Sequence, residues 1–453
     1  MRVIIAGCGK VGATIAEQLD SEGHDIVIID PNPEAFRALV SENDVLGIVG
    51  NGAVNSVQEE AGVEQADLFI AVTPSDELNL LCCLIAKKTG NCKTIARVRN
   101  PDYLASRSFI KEKLGLSMII NPERAAAKEI ARLLKFPSAI EVDTFSKGRV
   151  ELLKVRIPEG SSIAGMAVSK ARSVFTNKLL ICIVQRGAET IIPDGNFILE
   201  VGDKISIIAP HNQAALFMKK AGVKFNTVKD VTLIGGGKMA YYLARELLSV
   251  GINVKIIEID KQRCEKLSEL LPKAMIICGD GTEQQLLAEE GVFDAGAVVL
   301  LTDIDEENIM LSLCIGSSSD AKIITKVNRI KFSELISGMP IGSVVCPKHI
   351  TAESILSYVR AMQNSFGSNV QTLYRLENNK VEALEFFVRA ESDVVGIPLE
   401  KLKIRSNLLI SSIIRGNEII TPSGKDVIKI GDTVIVVTTE TGLNDLTDIL
   451  VEQ

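Results

Sequence analysis

RVIIAGCGKVG, Arg2–Gly12, is the stretch that decides the fold of this chain. A β-branched run, Val3-Ile4-Ile5, leads into Gly7-x-Gly9-x-x-Gly12, and ATIAEQL then takes up helical spacing. A parallel strand buried on both faces is apolar throughout, as this run is. In such a strand–turn–helix, Gly7 permits the tight turn, Gly9 lets the backbone approach a pyrophosphate, and Gly12 allows close helix–strand packing. The amides of the turn and first helical residues, Cys8, Lys10 and Val11 among them, then point at phosphate. After Gly23 the chain reads DIVIID, a second strand ending in Asp30, where a carboxylate meets the ribose in this kind of fold. The pattern predicts an adenosine-nucleotide site; the bland alternative is the same fold with an empty crevice.

The motif recurs. From Val231 the chain runs VTLIGGGKMAYYLARELL, giving Gly235-x-Gly237-x-x-Ala240. An offset of 228 carries Gly7 onto Gly235, Lys10 onto Lys238 and Asp30 onto Glu258. After one inserted residue the offset is 229: Gly50-Asn51-Gly52-Ala53 falls on Gly279-Asp280-Gly281-Thr282, AVTPSDELN (71–79) on LLTDIDEEN (300–308), and Arg97-Val98 on Lys326-Val327. So steady an offset identifies a tandem duplication.

Each half alternates strands and helices, which implies a parallel sheet covered on both faces. In the first half strands are expected over 2–6, 25–30, 44–49, 67–72, 93–98 and 117–120, with helices over 11–21, 34–42, 55–62, 76–89 and 101–114. Six parallel strands make a complete Rossmann-like sheet, and the second half repeats it from Val231 to about Cys346. A crossover helix follows each sheet, with Ala127, Ile130, Ala131 and Leu134 on one face of the first and Ala352, Ile355, Leu356 and Val359 on one face of the second. Such a stripe suits either the helix's own sheet or a dimer interface. Beyond Pro137 come short strands with turn signals, EVDTF, RVELLKVRIP, LLICIVQRG, TIIPDG and KISIIAP, and the second half repeats their landmarks. The expected architecture is α/β with four domains: Rossmann-like 1–122 and 228–348, each followed by a small α+β module, 137–221 and 368–453, that ends in a short helical stretch.

At 453 residues the chain suggests three or four domains. A net charge of −7 and a pI near 5.4 give no basic footprint for nucleic acid. Tryptophan is absent and tyrosines number five, so base-stacking platforms are scarce. No stretch nears the roughly 18 apolar residues of a membrane span. The N-terminus enters a core strand without a signal-peptide pattern, which predicts a cytoplasmic protein. Nine scattered cysteines without a CxxC read as buried, reduced thiols and no metal site. A redox-sensing thiol at Cys8 is the functional alternative.

A carboxylate at the end of the second strand accepts from ribose hydroxyls and repels a 2′-phosphate, so Asp30 and Glu258 favour NAD(H), ADP or ATP over NADP. Asn51-Gly52 and Asp280-Gly281 follow the third strands, where small residues leave room for adenine. Thr73 and Thr302 end the fourth strands and can meet ribose or phosphate, with Pro74 and Asp303 beside them. Lys10 and Lys238 offer point charges to phosphate, or else are ordinary solvated helix starts. Arg97 and Lys326 end the fifth strands and face the same crevice. With Gly7, Cys8, Gly9, Val11 and Gly12, and with Gly235, Gly236, Gly237 and Met239, these are the candidate site residues. The three histidines, His24, His211 and His349, have no counterpart in the other half and no nucleophile or acid–base partner. No catalytic residues emerge; the pattern is that of a ligand sensor.

GCGKVG with Asp30, AVTPSDELN, ARVRNP, INPERAAAKEIARLLKFP and the RG…PDG…GD run together resemble RCK (KTN) domains over essentially the whole chain. The resemblance implies a nucleotide-binding regulatory subunit on the cytoplasmic face of the membrane, in a Trk-type potassium-uptake system. There it gates an integral-membrane potassium-conducting subunit of the TrkH/TrkG kind, as a homotetramer. It also implies nucleotide against Gly7 to Val11, Asp30, Thr73, Arg97 and their second-half counterparts. Two departures stand out: Ala240 replaces the third glycine, and Asn51 stands where the second half has Asp280, whose charge is expected to weaken the second site for ATP. The rival functions are an NAD-dependent oxidoreductase and a soluble nucleotide sensor for another partner.

Overall fold

The computed structural model describes residues 1–135, 140–146, 149–175, 179–187, 189–209, 211–222, 228–328, 339, 341–364, 370–377, 380–440 and 442–451. The first sheet has β1 (Arg2–Ala6), β2 (Asp25–Asp30), β3 (Val45–Val49), β4 (Leu68–Ala71), β5 (Lys93–Arg97) and β6 (Met118–Ile120), all parallel, in the order β3-β2-β1-β4-β5-β6. The second has β7 (Glu141–Phe145), β8 (Val150–Arg156), β9 (Leu180–Arg186), β10 (Glu189–Ile191) and β11 (Lys204–Ile208), in the order β10-β9-β11-β8-β7. The third repeats the first with β12 (Asp230–Ile234), β13 (Asn253–Glu258), β14 (Met275–Cys278), β15 (Ala297–Leu300), β16 (Lys322–Lys326) and β17 (Ser343–Val345), ordered β14-β13-β12-β15-β16-β17. The fourth repeats the second with β18 (Val370–Leu376), β19 (Val381–Phe387), β20 (Leu408–Arg415), β21 (Glu418–Ile420) and β22 (Thr433–Thr438), ordered β18-β19-β22-β20-β21.

Two compact bodies result, 1–131 with 229–356 and 132–228 with 357–453. Each therefore takes one sheet from each half of the duplication. Among the described residues no helix is long and apolar enough to cross a membrane.

In the first body β1 and β12 run through the middle of their sheets, which is why Val3-Ile4-Ile5 is apolar on both faces and why even Thr232, between Val231 and Leu233, is buried. Val3, Ile4, Ile5, Ile26, Ile28 and Phe69 are fully buried, each such side chain contributing about 1.5–3 kcal/mol. The strand order reverses between β1 and β4, and between β12 and β15, which puts a ligand crevice at the ends of those strands. The helix Asp76–Thr89 covers β4 and β5 with Cys82, Cys83 and Ala86, and its start is capped by Ser75, whose hydroxyl accepts from the Leu78 amide at 3.1 Å.

The stretch expected as one helix over 101–114 is two, Pro101–Ala105 and Arg107–Lys113. At Ser106 the backbone turns out of helical geometry and its amide bonds Tyr103 O at 3.1 Å, a tighter i→i+3 closure. Most of its second-half counterpart lies outside the described residues. The crossover stripes are buried, and beside the first of them lies the other half: Arg124, Ala127 and Lys128 share a small cavity with Tyr242, Arg245, Glu246 and Ser249. Tyr242 locks this contact. Its hydroxyl donates to Arg99 O at 2.7 Å and accepts from Asn121 Nδ2 at 3.3 Å, and burial pushes its pKa up to about 12. The residue at its place in the first half is Thr14, whose hydroxyl only turns back to Lys10 O at 3.0 Å. The Tyr242 bonds thus have no counterpart at Thr14.

In the second body the two small sheets share a core, with Phe145, Leu152, Cys182 and Ile208 of one packed with Leu376, Ala383, Ile435 and Val437 of the other. Lys154 and Glu385 are each the fifth residue of their strands, β8 and β19. Lys154 pairs with Glu377 at 2.5 Å, both nearly buried, whereas Glu385 accepts from the Ser146 amide and from Tyr374 Oη at 3.3 Å. The first module closes with the helix His211–Lys220, but the second with a single 3-10 turn, Leu446–Ile449. AALFMKK is made of strong helix formers, while Gly442, Asn444 and an Asp445–Asp448 capping box favour a turn.

Burial raises the Glu385 carboxyl above its ordinary range. An acid with a raised folded pKa binds its proton more tightly folded than unfolded. Stability is therefore lost as pH rises from the ordinary carboxylate range through the folded value, and the loss is complete above it. Glu385→Gln should flatten the melting temperature against pH over that window. Parallel slopes for variant and wild type would assign the titration to other groups.

Candidate functional site

The first glycine turn is built by its neighbours. Gly7 has φ +101°, and a Cβ there would stand 2.9 Å from the Thr73 amide, so only glycine fits. A Cβ on Gly12 would stand 1.9 Å from Gly7 O, which makes Gly12 the close-packing position of the motif. Beside Gly9 there is open space, and no side chain caps the helix Lys10–Ser21 that starts there. Its first amides are left for a ligand. Asp30 holds the other wall: Oδ2 accepts from the Cys8 amide at 2.7 Å and Oδ1 from the Asn32 amide at 2.9 Å.

Buried Asn79 ties the ends of β4 and β5. Its Oδ1 accepts from the Thr73 amide at 2.7 Å and from the Thr73 hydroxyl at 2.8 Å; its Nδ2 donates to Thr73 O at 3.1 Å and Arg97 O at 2.9 Å. Asn308 repeats all four bonds with Thr302 and Lys326. Both threonine hydroxyls are therefore engaged inside the protein. Arg97 donates to Thr73 O, and burial lowers its pKa from the ordinary guanidinium value.

These parts meet in a cavity of about 920 Å3 within the first body. Of the first-half candidates, Gly7, Cys8, Gly9, Lys10, Val11, Asp30, Asn51, Gly52, Thr73, Pro74 and Arg97 line it; Gly12 lies behind the turn. From the second half Gly237, Lys238, Met239, Asp303 and Lys326 line the same cavity, so the duplication brings part of both turns to one place. Gly235, Gly236, Glu258, Asp280, Gly281 and Thr302 are not on it. Asp280 is spent on its own turn, accepting from the Thr282 amide at 2.8 Å and hydroxyl at 2.7 Å. A Cβ on Gly52 would stand 2.9 Å from Ala6 Cβ and one on Gly281 2.5 Å from an Ile234 methyl, so packing holds both positions to glycine.

The cavity also has walls that the motifs did not reveal: Asn32, Ala35, Arg99, Glu123, Asn328 and Lys348. Arg99 follows Arg97 within the duplicated segment, and that was the available signal. Glu123 and Lys348 follow prolines at equivalent helix starts, where the repeat offset falls to 225 and residue matching fails. Lys10, Arg97, Arg99, Lys238, Lys326 and Lys348 surround the space against Asp30, Glu123 and Asp303. Arg99 lies 3.8 Å from Glu123, and Lys326 pairs with Asp303 at 3.0 Å. The balance is cationic and suits a polyphosphate.

The Cys8 thiol belongs to this wall and is held protonated there. Burial, then the Asp30 carboxylate, raises its pKa to about 11. At pH 8 roughly one part in a thousand is thiolate. Iodoacetamide on the native protein should label exposed Cys278 and Cys314 first and leave Cys8 for last. Mass spectrometry finding Cys8 modified first would reverse that order.

Over 3–122 and 231–347 the chain matches the TrkA-N domain family, and over 152–222 and 383–451 the TrkA-C domain family. It is 35% identical over 437 residues to the Trk system potassium uptake protein TrkA homolog of Archaeoglobus fulgidus, covering 96% of this chain and 97% of that one. To the Trk system potassium uptake protein TrkA of Haemophilus influenzae it is 31% identical over 443 residues, covering 96% and 95%. Among solved structures, the GsuK channel bound to NAD is similar with a TM-score of 0.63 at 17% identity, over 96% of this chain and 76% of that one. At that identity the likeness concerns the fold alone.

Proposed function

The chain belongs to the TrkA family of Trk-system potassium-uptake proteins, and from that premise we propose a regulatory subunit that binds NAD(H) or ADP/ATP and governs a potassium-conducting membrane partner. The observation that carries this reading is the cationic cavity in which free helix amides, Asp30 and Arg97 converge. Asp30 selects an unphosphorylated ribose, which sets NADP aside. Structural neighbours solved with NAD and with ADP supply the same ligand class.

The site residues are Gly7 to Val11, Asp30, Asn51, Gly52, Thr73, Pro74 and Arg97, with Gly237, Lys238, Met239, Asp303 and Lys326 closing the space. Domains run over 1–122, 137–221, 228–348 and 368–453, and four chains form a ring on the inner face of the membrane against a TrkH/TrkG-like subunit. Nucleotide acts by binding one arrangement of that ring better than another. The protein itself catalyses nothing.

Calorimetry of the purified chain against NADH, NAD, ADP and ATP tests the ligand, and growth rescue of a deletion strain at low external potassium tests the partner. Binding and rescue are expected. Sustained turnover of NADH with any acceptor would overturn the regulatory reading in favour of an oxidoreductase. Binding without rescue would favour a sensor for some other partner.

A further inference from the structure

The second half carries two thiols where the first half carries apolar side chains. Cys264 lies on the helix Lys261–Leu270, and Cys278 ends β14 beside Glu258 in the parallel register. The Cys264 thiol donates to Glu258 O at 3.3 Å, and the same oxygen accepts from the Gly279 amide at 2.9 Å. The helix thiol and the strand end at Cys278 therefore meet at one carbonyl. There a hydrogen bond also joins the two thiols. In the first half the equivalent places are Phe36, by the offset of 228, and Val49, by its register against Asp30. The Phe36 ring packs so closely on β3 that a Cβ on Gly47 would stand 2.3 Å from it. Apolar packing thus suffices at this corner of the fold, which does not of itself call for sulfur. The two cysteines differ in access, Cys278 being exposed and Cys264 buried. Burial first, then Cys278 and the carboxylates of Glu258 and Asp260, raises the Cys264 pKa to about 11, so this thiol keeps its proton.

We propose that Cys264 and Cys278 are a modification site, a thiol pair that hydrogen peroxide closes into a disulfide and a dithiol reopens. Exposed Cys278 is the sulfur that the oxidant reaches, since access and thiolate character decide which cysteine reacts. Its thiolate attacks one peroxide oxygen, the O–O bond breaks, and the departing hydroxide takes up the proton released by the thiol. Cys264 is shielded from peroxide in solution, so the Cys278 sulfenic acid is the electrophile it meets. The Cys264 sulfur attacks the Cys278 sulfur, the S–O bond breaks, and hydroxide leaves as water with the Cys264 proton. One peroxide is reduced to two waters while two thiols are oxidised to one disulfide. A dithiol reverses the bond by thiol–disulfide exchange. The closed form ties the helix Lys261–Leu270 to β14 beside Glu258, whose Oε2 accepts from the Gly236 amide at 2.6 Å. Oxidation thus bears on the second glycine turn, and the first half, with Phe36 and Val49, has no such pair at this corner.

The experiment is mass spectrometry of the native full-length chain, treated with hydrogen peroxide, blocked with iodoacetamide and digested without reductant. A peptide pair linked through Cys264 and Cys278, lighter by two hydrogens than its separate parts, is expected, and dithiothreitol should release it. In Cys264→Ser the link is lost, and dimedone should trap Cys278 as its sulfenic acid. In Cys278→Ser the Cys264 thiol should stay reduced at the same peroxide dose. The wild-type digest decides even where a serine variant does not fold. Cys278 carried on to sulfinic acid while Cys264 stays free, or both thiols recovered unreacted, would overturn the proposal. So would a link from Cys278 to Cys314 or to a second chain in place of Cys264, or Cys264 oxidised in folded Cys278→Ser.

Discussion

Asp30→Ala weakens NADH and ADP binding by about 1.5–3 kcal/mol, roughly ten- to a hundredfold in Kd. That range is the worth of a hydrogen bond to a charged group, and a ribose hydroxyl donating to this carboxylate is such a bond. A second loss falls on the protein. Without the carboxylate the Cys8 and Asn32 amides lose their acceptors, at 2.7 and 2.9 Å, and the turn that presents backbone to phosphate loses an anchor. Asp30→Asn separates the two effects. Its amide oxygen still accepts from Cys8, while the charge that repels a 2′-phosphate is gone, so affinity for NADPH should rise relative to NADH. Unchanged NADH affinity in Asp30→Ala would leave Asp30 as a turn anchor and nothing more.

Asn79→Ala costs the fold about 2–4 kcal/mol, because the Thr73 amide and the Arg97 carbonyl, both deep at the strand ends, lose the side chain that satisfies them. Asn79 is fully buried, so water does not replace it without opening the sheet edge. Asn308→Ala should cost a similar amount for the same four bonds in the other half. Denaturant titration reads both, and the two losses should add in the double variant, since the braces share no residue. A loss under about 1 kcal/mol, the net worth of a single ordinary hydrogen bond, would mean that the strand ends hold themselves.

The features legible in the sequence were those set by short-range chemistry. Gly12 is demanded by the Gly7 carbonyl, which is near it in the chain, and Gly7 by its own left-handed backbone in the turn. The Val/Ile runs announce strands buried on both faces, and the duplication announces itself by offset. What was not legible depends on contacts between the halves. Tyr242 reads as one more apolar residue in a helix until its hydroxyl is seen against Arg99 O and Asn121. That Lys238 and Lys348 stand across the space from Asp30 is likewise a fact of docking. Asn79 sat in a segment whose repetition was plain, but repetition alone does not reveal that its amide ties two strands. The break at Ser106 had no strong breaker residue to mark it.

A contact across a true twofold axis is encoded once and made twice, so every substitution there must suit its own copy. The tandem chain is released from that condition. Lys154 meets Glu377 on one side of the second body, while the matching place holds Glu385 against an amide. Pairing two second modules would set Glu385 against Glu377, carboxylate on carboxylate, so like is discouraged from joining like. Tyr242 opposite Thr14 tells the same story in the first body. Each side of the molecule is therefore free to drift alone, with the evolutionary latitude of a heterodimer whose partners dilution can never separate.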